Sequence, residues 1–313
     1  FDRAKEKDTD FLIHCGDFCN DYSASPEIVK AYLQNKHGIS VYGTYGNHEL
    51  EGKNSMANVT PCLTNDKSVV WGTEDGKIGD GSIGYYYFDK DNFRIINIDT
   101  SYSFCHETNE WEHIRPGGWD CHQGNSYWEA IGPAQLEWLE KVLKDAAEKK
   151  LSCITVSHCG FFKLPDWYRY ATSADSEKIL KLFDKVNKIQ PKTVVMCISG
   201  HNHTNHTTIH NNILFVDINS VIGSPWLIHV NGPHHSEEDT FNYIDFDNEG
   251  NIKGRYQKPY NSLTFCEHIY YYSNPISAIV TVSSDGEITI EGQETTWAYN
   301  IIPEEINLYS GVE

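Results

Sequence analysis

Apolar residues in this chain fall into short runs, separated by longer stretches in which they recur every three or four positions. Phe11-Leu12-Ile13, Val41-Tyr42, Phe93-Arg94-Ile95-Ile96-Asn97-Ile98, Ile154-Thr155-Val156 and Val194-Val195-Met196-Cys197-Ile198 are rich in β-branched and aromatic side chains and too short for helices. They predict strands. Between the first two, Ser25-Pro26-Glu27 supplies an N-cap with proline at the first helical position, Ile28, Val29, Tyr32 and Leu33 give an apolar face, and Gly38 closes the helix. Pro133-Ala134-Gln135 opens a longer helix in which Leu136, Leu139, Val142, Leu143 and Ala146 share one face, and Lys149-Lys150 suit its carboxyl-terminal dipole. Another spans Ser176 to Asn187, with Ile179, Leu182, Phe183 and Val186 inward. Strand and helix alternate, so an α/β fold with parallel strands and right-handed crossovers is expected.

Two hairpins interrupt the alternation. Tyr85 to Phe88, the turn Asp89-Lys90-Asp91-Asn92 and Phe93 to Ile98 predict one, which makes the sheet mixed. Thr207-Thr208-Ile209, Asn211-Asn212 and Ile213 to Val216 predict the other, with a turn pair suited to positive φ. Residues 51–80 show turn formers and little periodicity. Residues 101–132 form a long segment carrying Trp111, Trp119, Tyr127 and Trp128, read as a cover that walls a substrate cleft; packing of the same rings on the core has equal claim. Turn signals at Asp247-Asn248-Glu249-Gly250 and Ser283-Ser284-Asp285-Gly286 make the tail mostly β. The expected division is a main domain over 1–235 and a β-rich extension over 236–313 packed on it.

The strand ends carry the chemistry. Ser199-Gly200-His201-Asn202-His203 places two imidazoles at i and i+2 after a glycine that lets the backbone turn sharply. Gly16-Asp17, Gly46-Asn47-His48-Glu49 and His158 also follow apolar runs directly. In an open α/β sheet such ends share one rim, so Asp17, Asn47, His158, His201 and His203 are expected to meet there. A lone strand-end histidine is more often a hydrogen-bonded core residue than a ligand, but His158 arrives with three companion segments. His14, His37, His106, His113, His122, His210, His229, His234, His235 and His268 lack that context, and most are expected to be solvated. Asp21 and Glu49 are read as hydrogen-bonding neighbouring loops or orienting imidazoles.

The ordered set GD, GNHE, strand-end His and GHNH, from about Phe11 to His203, resembles the calcineurin-like metallophosphoesterases. The resemblance implies a four-layer α/β/β/α sandwich with mixed sheets and two divalent transition metal ions (Mn, Fe or Zn). It implies that Asp17 bridges the ions, that Asn47, His158 and His201 complete one site, and that His203 belongs to the other. His48 would be the catalytic histidine facing the phosphate. The implied activity is metal-dependent hydrolysis of a phosphate mono- or diester, a small organic phosphate or nucleotide. The family's Asp-x-His strand has no counterpart in residues 1–10, so the first ion is expected to be weakly held by this chain. The alternative is a catalytically weak binding or scaffold protein that keeps the fold.

Composition narrows the partners. Lys+Arg of 25 against Asp+Glu of 44 gives a net charge of -19, which repels nucleic-acid polymers and anionic membrane surfaces. No run is long and apolar enough to span a bilayer. The nine cysteines are odd in number and contain no Cys-x-x-Cys, and Cys15, Cys153 and Cys197 sit in apolar runs as small hydrophobes. A reducing, cytoplasmic setting is expected, with Cys105 and Cys121 able to pair if the chain is exported. Asn58, Asn202 and Asn205 match the glycosylation acceptor pattern, and chance explains the matches best.

Overall fold

The chain opens with α1 (Asp2–Glu6) and β1 (Phe11–His14), then β2 (Ser40–Gly43), β3 (Val70–Trp71), β4 (Tyr86–Lys90), β5 (Phe93–Ile98), β6 (Tyr102–Cys105) and β7 (Glu110–His113). Next come α2 (Gly132–Lys149), β8 (Ser152–Ser157), α3 (Ser176–Ile189), β9 (Val194–Ser199), β10 (His206–His210), β11 (Ile213–Asp217) and β12 (Gly223–Ser224). The tail adds β13 (Thr240–Phe246), β14 (Ile252–Pro259), β15 (Tyr270–Tyr271), β16 (Ser277–Val282), β17 (Ile288–Gln293) and β18 (Ala298–Ile301). The computed structural model describes residues 1–18, 38–47, 49, 63–72, 84–105, 109–113, 129–162, 173–202, 206–218, 223–224, 240–246, 252–259, 270–271, 277–283, 286–293 and 298–301. The helix expected between Ser25 and Gly38 lies outside them.

Seven strands form one mixed sheet in the order β10-β11-β9-β8-β5-β4-β3. The four in the middle, β11, β9, β8 and β5, are parallel, and the flanking pairs are antiparallel. The β10–β11 hairpin therefore forms one edge, and β3 covers the β4–β5 hairpin at the other. The turn between β10 and β11 has Asn211 at φ 49 and Asn212 at φ 61, the conformation that residue pair favours.

Apolar side chains on both faces of this sheet explain its unbroken hydrophobic runs. On one face, Ile96, Ile98, Cys153, Val194, Cys197, Ile213 and Phe215 pack with Leu139, Val142, Leu143 and Ala146 of α2 and Ile179, Leu182, Phe183 and Val186 of α3. The opposite face meets the separate parallel pair β1–β2, with Phe11, Ile13 and Tyr42 joining Phe88, Ile95, Ile154, Val156 and Ile198. Tyr42 stacks on Phe88 with centroids 3.7 Å apart, and Phe11 stands edge-on to both rings. Leu12 and Val41 face the other way, toward Phe1. Ile288 and Ile290 of β17 are buried in the same inter-sheet core.

Polar ties fix the layers. Arg94, buried in β5, pairs with Asp89 and Asp145, donates to the Val142 carbonyl at 3.0 Å and lies over the Tyr87 ring. Gln135 of α2 accepts from the Asp99 amide and donates to the Asp99 carbonyl, at 2.8 and 2.7 Å, which clamps the helix to the end of β5. The Tyr86 hydroxyl accepts from the Gly43 amide at 2.9 Å, so the large sheet grips the end of β2.

Two expectations change. Residues 51–80 contain β3, which pairs with β4 over only two residues, too few for any alternation to show. The segment 101–132 carries the hairpin β6–β7, whose Tyr102-Ser103-Phe104 alternation is a strand signal. Trp111 packs, partly buried, against the cluster of Tyr85 and Tyr102; Trp119, Tyr127 and Trp128 lie outside the described residues.

Candidate metal centre at the strand ends

The rim is assembled by backbone contacts that only small residues permit. Gly16, at φ 86, leads from β1 into Asp17, and a Cβ there would meet the Gly46 amide and the His158 ring. Gly46 faces the Asp17 carboxylate so closely that a side chain would collide with it. The Gly200 amide donates to the His158 carbonyl at 3.0 Å, joining the ends of β8 and β9. Asp17 at φ 53 and His201 at φ 61 both occupy left-handed backbone, which costs a side-chain-bearing residue on the order of 1 kcal/mol and is tolerated where geometry matters.

His158 is the hub. It is 3% exposed, and its Nδ1 lies 2.6 Å from the Cys15 carbonyl. A carbonyl accepts only, so Nδ1 carries the hydrogen and Nε2 of the neutral ring presents its lone pair. Around that one atom stand Asp17 Oδ2 at 3.2 Å, Asn47 Oδ1 at 3.1 Å and His201 Nδ1 at 3.0 Å. Asp17, His158 and His201 form a group whose ligand atoms all lie within 4.8 Å of one another.

A carboxylate oxygen, an amide oxygen and two imidazole nitrogens converging this way fit a cation. Atoms bound about 2.1 Å from a common centre stand roughly 3.0 Å apart at octahedral angles and roughly 3.4 Å apart at tetrahedral ones. The field agrees with the geometry. Burial opposes charge on His158, yet the Asp17 carboxylate, the Cys15 carbonyl and Glu49 outweigh it and raise the imidazole to about 9.

Glu49, 0% exposed, holds the Asp17 and Asn47 loops together: one carboxylate oxygen accepts from the Asp17 amide at 2.8 Å and from the Gly46 amide at 2.6 Å. The loop after β9 is braced by Asp217, which accepts from the Ser199 hydroxyl at 2.7 Å and from Asn202 Nδ2 at 3.4 Å. Burial, only partly offset by these two donors, raises the Asp217 carboxyl to about 6. Asn202 is 2% exposed, which fits chance as the source of its acceptor-pattern match.

Asp17, Asn47, His158 and His201 are thus brought together, whereas His48, His203 and Asp21 lie outside the described residues. His14 is a correction: its ring nitrogens are enclosed, not solvated, because the ring lies over Gly43 and edge-on to Phe18. Glu129 was not anticipated. It reaches His201, and no local pattern in an aromatic-rich loop marks a residue that arrives by tertiary pairing.

One substitution tests the close packing. Gly46→Ala is expected to push Asp17 out of place, costing about 1–3 kcal/mol of stability as overpacked sites do and weakening divalent metal binding. Urea unfolding and a metal titration read both effects, and an unchanged affinity would show that Asp17 needs no such clearance.

A family model for calcineurin-like phosphoesterases matches residues 1–205. Among solved structures, a dimetal phosphatase from Danio rerio superposes with TM-score 0.56 at 13% identity, over 96% of this chain and 85% of that one. GAP50, described as the anchor in the inner membrane complex of Plasmodium, gives TM-score 0.48 at 13% identity, over 99% of this chain and 85% of that one. A comparison with curated protein sequences finds no significant match. The family model covers well over half of the chain, including all four converging side chains, and the chain belongs to the calcineurin-like phosphoesterase family.

Proposed function

We propose that the chain hydrolyses phosphate esters at a dinuclear centre of divalent transition metals, acting on small organic phosphates or nucleotides. Family members are typically metal-dependent phosphoester hydrolases. The observation that carries the reading is the convergence of Asp17, Asn47 and His201 on His158 Nε2 at 3.0–3.2 Å. In it, Asp17, Asn47, His158 and His201 hold one ion, while Asp17 and His203 reach the other. When bound, two such ions acidify water and neutralise phosphoryl oxygens. Asn47 offers a neutral oxygen and so preserves positive charge in the site. His48 donates to the phosphate or the departing alkoxide. The mixed nitrogen and oxygen set suits Mn, Fe or Zn better than Ca.

Residues 1–235 form the hydrolase domain in this reading, arranged as α/β/β/α layers with 236–313 packed on them. A small ester is the favoured substrate because the net charge of -19 repels polyanions and anionic membranes. Among the described residues no helix is long and apolar enough to cross a membrane. Buried free thiols at Cys15, Cys153, Cys159 and Cys197 support a reducing, cytoplasmic setting.

The test is metal analysis of the protein after chelation and reloading, beside hydrolysis of an aryl phosphomonoester and a bis-aryl diester. At least one tightly held ion per chain and metal-dependent turnover are expected, with both lost in His201→Ala. Equal metal content in the wild type and His201→Ala would sink the reading.

A further inference from the structure

The last turn before α2 brings a carboxylate to the rim from outside the strand-end motifs. Glu129 sits at φ 59, a conformation that glycine would adopt at no steric cost. The residues that follow it are pinned. Ala130 exchanges two backbone hydrogen bonds with Tyr102, at 2.8 and 3.1 Å. The Ile131 and Gly132 amides donate to Asp175, and the Ala174 amide donates to the Glu129 carbonyl. A strained residue held by so much surrounding structure points to a use for its side chain.

That side chain faces His201. Glu129 Oε1 lies 3.4 Å from His201 Nε2, and the two side chains are 17% and 16% exposed. The other ring nitrogen, Nδ1, is the one turned toward His158 Nε2 at 3.0 Å. His201 thus spans two groups, Asp17 and His158 on one edge, Glu129 and Cys159 on the other. The Cys159 thiol, 2% exposed, stands beside the same carboxylate.

We propose that Glu129 is a positioning residue for the metal centre: it accepts the hydrogen on His201 Nε2 and so leaves the Nδ1 lone pair aimed at the ion shared with His158. An imidazole has one hydrogen and one lone pair when neutral, so an acceptor on one nitrogen decides which tautomer is present. The carboxylate also makes the far nitrogen a stronger donor to a cation, as partners of ligating histidines do. His158 has the Cys15 carbonyl in this role. Glu129 gives His201 the equivalent, by an anion.

The inference rests on His201 being a metal ligand, and the experiment separates the two. The full 313-residue chain and its Glu129→Gln, Glu129→Ala, Cys159→Ser and His201→Ala variants are titrated with Co²⁺. Ring tautomers in the Zn²⁺ form are read by long-range ¹H–¹⁵N NMR. Glu129→Ala is expected to bind about 10–100-fold more weakly at unchanged stoichiometry, the range for lost partners of ligating groups. Glu129→Gln, which keeps the shape and one acceptor oxygen, should fall between it and the wild type. His201 should carry its hydrogen on Nε2 in the wild type and become a mixture in Glu129→Ala. If Glu129→Ala and Glu129→Gln both bind like the wild type while His201→Ala does not, the positioning role is wrong and the metal reading stands. Equal binding by the wild type and His201→Ala removes the metal reading itself, and the inference with it. A thiolate-to-cobalt absorption band that vanishes in Cys159→Ser would place an ion on Cys159 and Glu129 directly and overturn the positioning role.

Discussion

Glu49→Ala is expected to be among the most damaging single substitutions in this protein, costing about 3 kcal/mol of stability and ~100-fold in metal affinity. The proposed function gives this residue no part in the reaction itself. Its effect follows from one oxygen serving two loops, the Asp17 amide at 2.8 Å and the Gly46 amide at 2.6 Å, at a site with 0% exposure. Removing a shared buried acceptor costs about 1–3 kcal/mol for each donor that loses it. The loss falls on the two segments that carry Asp17 and Asn47, so the ligands disperse along with the stability. Glu49→Gln keeps an oxygen able to accept both hydrogen bonds and should recover most of the stability. Urea unfolding and chelator competition measure the two quantities; a Glu49→Ala variant within 1 kcal/mol of the wild type would show that the loops hold themselves.

How much of this was visible in the sequence depends on the range over which each feature is decided. The helix face of Leu139, Val142, Leu143 and Ala146 and the Asn211-Asn212 turn are written locally, by spacing and by tolerance of positive φ, and the structure has both. The meeting of Asp17, Asn47, His158 and His201 was legible for another reason. Parallel strands present their carboxyl ends on one side, so a polar residue just past each strand is delivered to a common rim. Asp217 and Glu129 escaped that logic. Asp217 ends β11, and its partner Ser199 comes from the paired strand, so the bond follows from register, which periodicity does not specify. Glu129 is returned to the rim by the Tyr102–Ala130 bridge and by Asp175, pairings 28 or more residues apart in sequence. His14 reads as a polar residue ending a strand, and only the bare backbone of Gly43 beneath it lets the ring lie inside.

The metal-free protein is expected to lose stability as pH rises from 6.5 to 9. His158 is the cause. Its imidazole is raised from 6.5 to about 9 because the Asp17 carboxylate, the Cys15 carbonyl and Glu49 favour the charged form more than burial opposes it. A group whose folded pKa lies above its unfolded value adds stability that is complete below the unfolded value and is lost as pH climbs through the folded one. The span of about 2.5 pH units corresponds to on the order of 3 kcal/mol. Two kinds of buried group titrate outside this window. Asp217, raised from 3.8 to about 6 by burial, has surrendered its contribution below the window. The thiols of Cys15, Cys153 and Cys197, pushed up to about 12 by burial, act only from about pH 9 upward. With a saturating divalent metal the trend should reverse, because a ligating imidazole must be neutral and uptake of the ion releases the proton. Unfolding midpoints in chelator and in excess Zn²⁺ at pH 6.5, 7.5 and 9 should therefore diverge, and His158→Gln should flatten the chelator series. A chelator series that stays level in the wild type would mean that His158 holds no proton in the folded protein, and that the cluster lacks the field for a cation inferred from it.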